Sequence, residues 1–269
     1  MPDGSSGLLV AGDPDPVIVE NSRGCSPLLL LGDHAGRTIP ARLGDLGLSR
    51  GDLERHIAWD IGVEGLGRLL SERLDAVFVR QPYSRLAIDC NRAPGAQGSI
   101  VEASDGVVVP RNRGLGPTDR EARRTEIFQP YHDQIADILD GRSMAGRESL
   151  LLSLHSFTPV MDGFARPWRF GVLHRGDSAF SSIALAALRA RWDEAVGDNQ
   201  PYAMDGIDFT VPFHADARGL DYLELEVRQD LIDDEAGRAA VAEALAPLLA
   251  QAAVEALRAQ GARANRSAR

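Results

Sequence analysis

Two histidines in this sequence of 269 residues follow leucine-rich runs, at positions where imidazole rings could bind a metal ion. His34 comes directly after LLLLGD, and His155 comes directly after LLLSL. A catalytic zinc site combines imidazole nitrogens with a carboxylate and leaves a coordination position for water. Taken alone, each histidine could equally be a structural residue of the core. Together, at the ends of neighbouring strands, they predict a metal site suited to hydrolysis.

The third metal ligand has to come from elsewhere, because the HExxH and HxxE patterns are absent around His34 and His155. Asp60, in IAWDIG, ends an apolar segment and precedes a helical pattern, so it is either the third ligand or the N-cap of that helix. Asp33 is adjacent to His34 and is more typical of a residue that orients a ligating histidine from outside. We therefore predict His34, Asp60 and His155 as the metal ligands.

The stretch RLAIDCNR, residues 85–92, contains groups that can bind a carboxylate. Guanidinium and amide groups at the end of a short strand form a fork that can hold a carboxylate through paired hydrogen bonds. This pattern predicts that Arg85, Asn91 and Arg92 bind an anionic substrate. The alternative is an internal ion pair between Asp89 and one of the arginines, which would only hold the loop.

Two glutamates alternate with leucines in YLELEV, residues 222–227, and so point to the same face of the predicted strand. A carboxylate on a packed face is costly unless it is paired or functional. Glu226, nearer to the carboxyl end of the strand, is predicted to be the general base and acid of a metal-assisted hydrolysis. An exposed position on an edge strand, or a salt bridge to Arg228, is the alternative.

His214 and Arg218 precede this strand and are predicted to contact substrate or a developing oxyanion, although the polarity of a loop would explain them equally well.

Short apolar runs alternate with helical patterns along the chain, which is typical of an α/β protein. The predicted helices cover residues 61–74, 119–140, 178–194 and 234–258, and the predicted strands cover residues 28–32, 76–81, 85–90, 150–156, 170–174 and 222–227. Because the strands are nearly continuous apolar runs, we expect helices on both faces of the sheet. The prediction is a three-layer α/β/α sandwich with a mixed, mainly parallel sheet, in which ligands bind at the carboxyl ends of the strands. Residues 17–260 are predicted to form a single domain, with loosely ordered tails at 1–16 and 261–269.

The composition excludes several classes of function. Acidic residues outnumber basic ones by 39 to 29, and the formal net charge of −10 repels nucleic acid and anionic membranes. The two cysteines, Cys25 and Cys90, form no CxxC pair, and no GxGxxG or P-loop motif follows a predicted strand. A signal peptide and a membrane-spanning run are not recognisable, so a cytoplasmic protein with a small anionic substrate is expected.

Five motifs occur in order between about residues 25 and 235: DHAGRTIP, IAWDIG, SRLAIDCNR, SLHSFTP and LELEVRQDLI. In this order, with α/β spacers between them, they resemble the N-formylglutamate amidohydrolase family. The resemblance implies a zinc-dependent amidase with the α/β/α fold of zinc carboxypeptidases and aspartoacylase-like deacylases. DHAG and SLHS differ from the corresponding PHSG-type and DAHS-type motifs of the formylglutamate hydrolases of histidine degradation, so the resemblance implies the reaction class more firmly than the substrate.

By this resemblance His34 and His155 bind Zn²⁺, Glu226 is the catalytic carboxylate, and Asn91 with Arg92 holds the α-carboxylate of the substrate. The implied reaction is hydrolysis of the acyl amide bond of an N-acylated amino acid, with N-formyl-L-glutamate as the leading substrate. The alternatives are a carboxypeptidase, a deacylase for another acyl group, and a non-catalytic binding protein on the same fold.

Overall fold

A sheet of seven strands forms the centre of the protein, as seen in a computed structural model that describes residues 7–204 and 206–267. In chain order the strands are β1 (Ile18–Glu20), β2 (Leu28–Gly32), β3 (Val77–Arg80), β4 (Ala103–Ser104), β5 (Val107–Val108), β6 (Leu150–Phe157), β7 (Val160–Met161), β8 (Phe164–Ala165), β9 (Phe170–Leu173), β10 (Val196–Asp198) and β11 (Tyr222–Arg228). The order across the sheet is β1-β3-β2-β6-β11-β9-β10. The β4–β5 and β7–β8 pairs are small hairpins outside it.

Most neighbouring strands in the sheet are parallel: β2 with β3, β2 with β6, β6 with β11, and β9 with β10. Antiparallel pairing joins β1 to β3 and β9 to β11. The sheet is therefore mixed and mainly parallel, as predicted. As a consequence, the carboxyl ends of β2, β6 and β11 meet at the same end of the sheet.

Helices cover both faces of the sheet. They are α1 (Arg50–Leu53), α2 (Val63–Leu74), α3 (Pro117–Arg123), α4 (Gln129–Met144), α5 (Ala179–Trp192), α6 (Thr210–Ala215) and α7 (Glu235–Ser267). Leu28 and Leu30 of β2 pack with buried residues of α2, α5 and α7, whereas Leu29 and Leu31 pack with buried residues of α4. Because alternate side chains of a strand point to opposite faces, these clusters are two helix layers on either side of the sheet. The predicted α/β/α sandwich is confirmed.

Helix α7 is long and apolar enough to cross a membrane when judged by length and composition alone. One face of this helix lies in the core, where Leu249, Ala252 and Ala256 are buried in the layer that contains α2 and α5. These contacts account for its apolar composition. The helix continues to Ser267, beyond its predicted end at residue 258 and through most of the predicted C-terminal tail.

The prediction of a strand at residues 85–90 is wrong, because RLAIDC forms a series of turns. Buried side chains, rather than a neighbouring strand, satisfy its backbone carbonyls: Asn112 Nδ2 donates to Leu86 O, and Arg123 Nη1 donates to Ala87 O. Strands β1 and β10, which were not predicted, have three residues each and are too short to show a pattern.

The N-terminal segment differs from the predicted loose tail over the residues that the structure describes. Leu8 is buried, and the backbone N–H groups of Leu8 and Leu9 donate to the carboxylate of Glu126. Tyr83 Oη donates to the backbone carbonyl of Pro14. Residues 1–6 lie outside the described residues, and the domain boundaries stay a prediction.

Gly62 shapes the turn between Asp60 and α2. Its φ is +84°, and a Cβ atom at this position would lie 2.2 Å from the backbone oxygen of Ile232. We expect Gly62→Ala to lower the free energy of unfolding by about 2–3 kcal/mol, because the substitution combines a strained φ with a backbone overlap. Urea unfolding followed by circular dichroism measures the loss. Gly116→Ala is the control, since Gly116 has a φ of −69° and open space around it, and an equal loss there would contradict this explanation.

Candidate functional site

Three side chains from distant parts of the sequence converge at the carboxyl end of the sheet. His34 follows β2, His155 lies near the end of β6, and Asp60 precedes α2. All three are buried, and their ligand atoms lie within 4.8 Å of one another. The backbone N–H of Asp60 donates to the backbone carbonyl of His34 at 2.9 Å, which fixes the two segments together. The structure therefore brings together the three predicted metal ligands.

Asp60 turns its carboxylate toward the histidines and does not cap α2. The N-cap of α2 is Gly62, and no side chain caps this helix. Asp60 Oδ2 accepts hydrogen bonds from His155 Nδ1 at 3.0 Å and from the backbone N–H of Ser156 at 3.2 Å. It also lies 3.5 Å from His34 Nδ1. The N-cap alternative is thus wrong.

The outer nitrogen of each imidazole is held by a polar group. His34 Nε2 lies 2.7 Å from Asp89 Oδ1, and His155 Nε2 lies 3.0 Å from Ser153 Oγ and 3.5 Å from Asp33 Oδ2. When His34 Nε2 donates to Asp89, Nδ1 carries the lone pair, and this buried atom has no hydrogen-bond partner in the described part of the chain. Both rings present Nδ1 to the same carboxylate, as in metal sites where an outer carboxylate orients a ligating histidine.

Acidic groups outnumber basic ones around these ligands. Buried negative charge is costly unless it is balanced. A divalent cation between two imidazoles and a carboxylate would balance it, so both the charge and the donor set fit a catalytic metal ion. The charged groups are six carboxylates and two guanidinium groups: Asp33, Asp60, Asp89, Asp208, Glu224, Glu226, Arg85 and Arg92.

Two buried glutamates of β11, Glu224 and Glu226, line the same cavity. Burial raises the pKa of Glu224 to about 8 and that of Glu226 to about 7, and the charge of His155 offsets part of this effect. The Oε2 atom of each is buried and has no hydrogen-bond partner among the described residues. A carboxyl group that exchanges a proton near neutral pH can act as a general acid and base.

The alternatives for Glu226 do not hold. Strand β11 lies between β6 and β9 rather than at an edge, and Arg228 pairs with Asp230 at 2.7 Å. In the strand register Glu226 lies beside His155 on β6 and beside Gly171 on β9. Gly171 has no side chain, and the backbone oxygen of Gln200 occupies the space that a side chain would fill there.

These groups line a cavity of about 310 Å³, which is at the lower end of the range for small-ligand sites. Of the predicted site residues, the structure places the following in its wall: His34, Asp60, Arg85, Asn91, Arg92, His155 and Glu226.

Arg85 forms the ion pair that was the alternative to substrate binding. Its Nε and Nη2 atoms donate to Asp89 Oδ2 at 3.1 and 2.7 Å, and Nη1 donates to Asp60 Oδ1 at 3.4 Å. Although burial raises the pKa of Asp89, the Arg85 guanidinium holds it well below its usual range. Arg85 thus keeps charged the carboxylate that orients His34, and its contact with substrate stays a prediction.

Asn91 and Arg92 connect the cavity to the loop before α6. Asn91 Oδ1 accepts hydrogen bonds from the backbone N–H groups of Phe209 and Thr210, both at 2.9 Å. Arg92 Nη1 donates to Asp208 Oδ1 at 3.1 Å. Nε and Nη2 of Arg92 make no hydrogen bond to a described residue, so this edge of the guanidinium can take a carboxylate.

The structure does not place His214 and Arg218 in this cavity, so the prediction that they contact substrate or oxyanion is wrong. His214 is fully buried on α6. Arg218 pairs with Asp140 at 2.9 Å and lines a separate cavity of about 880 Å³. The physical reason is their place in the chain: both residues precede β11 and lie toward its amino end, whereas the site is at the carboxyl end.

Asp208 and Tyr202 also line the site cavity, and no sequence pattern predicted them. They belong to a loop that has no periodic pattern. Gly171 and Gly197 allow this loop to approach the sheet, because Cβ atoms there would lie 2.1 and 2.6 Å from the backbone oxygen of Gln200. Glycines inside short strands were the one signal that another segment approaches closely.

His214 instead belongs to a buried pair of histidines. His132 Nε2 donates to the backbone carbonyl of Cys90 at 2.9 Å, so its Nδ1 accepts a hydrogen bond from His214 Nε2 at 3.0 Å. Both rings are neutral in this arrangement. Burial lowers the pKa of His132 to about 4 and that of His214 to about 3.

Comparison with known proteins gives a consistent picture of the chain. Residues 26–233 match the family model of N-formylglutamate amidohydrolase. A gene product of Agrobacterium tumefaciens has a similar structure, with a TM-score of 0.89 and 36% identity, covering 92% of this chain and 98% of that one. An N-formylglutamate amidohydrolase from Ralstonia eutropha JMP134 shares the fold, with a TM-score of 0.69 and 19% identity, covering 91% of this chain and 100% of that one. No curated protein sequence matches significantly.

The histidine pair predicts sensitivity to acid. The unfolded chain binds a proton at each histidine near pH 6.5, whereas the folded protein keeps both rings neutral to about pH 4, so acidification favours unfolding. The free energy of unfolding of the wild-type protein should fall between pH 7 and pH 5. In His214→Phe we expect this fall to be smaller by about 1–2 kcal/mol. Urea unfolding at both pH values measures the difference. Phe213→Leu changes packing in the same aromatic cluster without removing a titratable group, and should keep the wild-type pH dependence. An unchanged loss in His214→Phe would contradict the assignment.

Proposed function

Because this chain belongs to the N-formylglutamate amidohydrolase family, we propose that it is a metal-dependent amidohydrolase that cleaves the acyl amide bond of an N-acylated amino acid. One observation carries the proposal: two imidazole nitrogens and a carboxylate converge in a cavity that also contains two buried glutamates with an unpaired oxygen each. The glutamates favour an enzyme over a binding protein, which needs no group to move protons. N-formyl-L-glutamate is the reference substrate, because the family carries its name.

The residues present fit a divalent metal ion, and Zn²⁺ is the ion that we propose. His34 Nδ1, His155 Nδ1 and Asp60 Oδ2 would hold it. When bound, the ion would polarise the acyl carbonyl and lower the pKa of water in the cavity. Asp89 and Asp33 keep the two imidazoles turned toward it.

Glu226 accepts a proton from the attacking water and returns it to the nitrogen of the leaving amino acid, so the carboxylate is regenerated in each turnover. The charge of His155 acts on both glutamates, and the charges of Asp60 and His34 also act on Glu226. In the strand register Glu226 lies beside the ligand His155, whereas Glu224 lies beside Ser153, and this supports Glu226 as the proton-transfer group.

Arg92 and Asn91 orient the substrate. The Nε–Nη2 edge of Arg92 binds the α-carboxylate through two hydrogen bonds. Asn91 holds this part of the cavity wall in place through its hydrogen bonds to the backbone of Phe209 and Thr210. Holding the carboxylate places the acyl amide beside Glu226 and reduces the entropic cost of reaching the transition state.

A small anionic molecule is therefore the partner that we propose. The formal net charge of −10 disfavours the binding of nucleic acid and anionic membranes. The two arginines of the cavity provide local positive charge that can attract a small anion. A cytoplasmic location stays a prediction.

Metal content tests the site directly. We expect about one zinc ion per chain in wild-type protein dialysed after purification, and a loss of most of it in His34→Ala and in His155→Ala, because each removes one of three ligands. Elemental analysis measures the content. His174→Ala removes a histidine outside the cluster and should retain the metal. Full metal content in both ligand variants would exclude this site.

Removal of the proton-transfer group tests the reaction. We expect Glu226→Gln to lower kcat for N-formyl-L-glutamate hydrolysis by about 10²–10⁴-fold with unchanged metal content, because the amide cannot accept a proton from water. Glu224→Gln is the matched variant on the same strand face and should lose less. Hydrolysis of N-formyl, N-acetyl and N-succinyl amino acids, measured in parallel, identifies the acyl group. Wild-type rates in Glu226→Gln would contradict the assigned role.

A further inference from the structure

We infer that Tyr202 and Arg166 form the part of the site that binds the side-chain carboxylate of an N-acylated dicarboxylic amino acid. The hydroxyl of Tyr202 contacts that carboxylate, and the guanidinium of Arg166 lies behind the hydroxyl and balances the negative charge. This inference rests on the proposed amidohydrolase function and names the residues that recognise the side chain of the substrate. It follows from a buried arginine without a carboxylate partner and a hydroxyl proton without an acceptor among the described residues.

The hairpin that follows β6 places Arg166 beside the cavity. The loop between β7 and β8 consists of Asp162 and Gly163, with φ angles of +50° and +76°. Positive φ at both residues is typical of the two-residue turn of type I′. The backbone N–H of Arg166 donates to the backbone carbonyl of Pro159 at 2.8 Å, so the hairpin returns to the point where it left the sheet. Arg166 is therefore held close to the carboxyl end of β6, the strand that carries His155.

Arg166 is buried, yet no carboxylate in the described part of the chain pairs with it. Its Nη1 atom donates to the backbone carbonyl of Thr158 at 3.3 Å and to Tyr202 Oη at 3.0 Å. Its Cζ atom lies over the rings of Phe157 and Tyr202, at 5.7 and 4.8 Å from their centroids. These contacts offset part of the cost of burying a cation, but none of them supplies a negative charge. All three contacted residues line the cavity, so the charge of Arg166 lies directly behind the cavity wall.

Two further guanidinium groups line the cavity, and carboxylates balance both of them. Arg85 pairs with two aspartates of the site, and Arg92 pairs with Asp208. A buried charge is costly without a partner of opposite sign. Arg166 is therefore the guanidinium group at this cavity that gains most when a ligand brings a carboxylate.

Tyr202 supplies the hydrogen-bond donor that such a carboxylate needs. The described residues of the cavity wall include three with a hydroxyl group: Ser156, Thr158 and Tyr202. Ser156 Oγ and Thr158 Oγ1 each donate to a backbone carbonyl, at 2.9 and 3.0 Å. Tyr202 Oη accepts from Arg166, so its own proton can be donated elsewhere, and no described residue accepts it. The neighbouring guanidinium polarises this hydroxyl and makes it a stronger donor.

The two carboxylates of an N-acylated glutamate thus have separate partners. In the proposed reaction the Nε–Nη2 edge of Arg92 holds the α-carboxylate, and Tyr202 takes the carboxylate of the side chain. Tyr202 belongs to the same loop as Asp208, the partner of Arg92, so one loop contacts both ends of the substrate. A donor backed by a cation binds a carboxylate more strongly than the neutral amide of glutamine. The site therefore selects a substrate with a negatively charged side chain.

Removal of the Tyr202 hydroxyl tests this selection. N-formyl-L-glutamate and N-formyl-L-glutamine have nearly the same shape and differ by one charge. We expect the wild-type zinc enzyme to hydrolyse the glutamate compound with a kcat/KM at least about tenfold higher. In Tyr202→Phe, which keeps the ring, this preference should fall by about tenfold, mainly through slower turnover of the glutamate compound at low concentration. No preference in wild type, or an unchanged preference in Tyr202→Phe, overturns the inference.

Removal of the charge behind Tyr202 tests the role of Arg166. We expect Arg166→Met to lower the preference for the glutamate compound by about tenfold, and Arg166→Lys to retain part of it because the charge is kept. A merely structural role of Arg166 would slow hydrolysis of both compounds equally and leave the preference unchanged, which overturns the assignment. Arg175→Met removes an arginine that pairs with Asp216 outside the cavity, and should keep the wild-type preference. Tyr202 is exposed, so Tyr202→Phe tests the inference even if Arg166→Met fails to fold.

Binding without hydrolysis separates this inference from the proposed function. Isothermal titration of zinc-loaded Glu226→Gln, with and without Tyr202→Phe, measures the Kd of each compound. If wild type hydrolyses neither compound but Glu226→Gln binds the glutamate compound more tightly and Tyr202→Phe removes this preference, the amidohydrolase proposal fails and the carboxylate subsite stands. If both compounds are hydrolysed without a preference for glutamate, the reaction stands and the inference fails. If neither compound binds, the inference fails.

Discussion

The buried carboxylate of Asp60 is the point at which several segments of the chain meet. Its Oδ2 atom accepts from His155 Nδ1 and the backbone N–H of Ser156, and its Oδ1 atom lies 3.4 Å from Arg85 Nη1. Its own backbone N–H is bound to the carbonyl of His34. A charge in such a place is tolerated only when donors and cations surround it, so the turn after β2, the end of β6 and the start of α2 are all fixed by the same requirement.

Each imidazole is connected to the rest of the fold through one carboxylate, which lies beside the ring and is itself held by another side chain. Tyr131, on α4, donates to Asp33 Oδ1 at 2.7 Å, and Asp33 in turn lies beside His155. On the other side, Arg85 holds Asp89, and Asp89 holds His34. The two rings are therefore oriented by different parts of the fold, which keeps their Nδ1 atoms directed at one point without a direct hydrogen bond between them.

The sheet and its ligands were predictable because they depend on local patterns. LLLLG at residues 28–32 is buried on both faces, and its continuous apolar character indicated this correctly. RLAIDC at residues 85–90 also contains a short apolar run, yet carbonyls of this segment are bound by Asn112 and Arg123, whose positions no local pattern reveals. His214 was placed in the site because it precedes a strand that carries site residues, but a residue before a parallel strand lies at the opposite end from one after it.

The division between strand ends and loops also explains why a family relationship can indicate a reaction more firmly than a substrate. His155 and Glu226 lie in strands, and their positions follow from the register of β6 and β11, which the fold preserves. Asp208 and Tyr202 lie in a loop that contacts the cavity from outside the sheet. Substitutions in such a loop can change which side chain is accepted while the proton-transfer group and the ligands stay in place. Membership of the family therefore indicates the reaction of this protein more firmly than the amino acid that it binds.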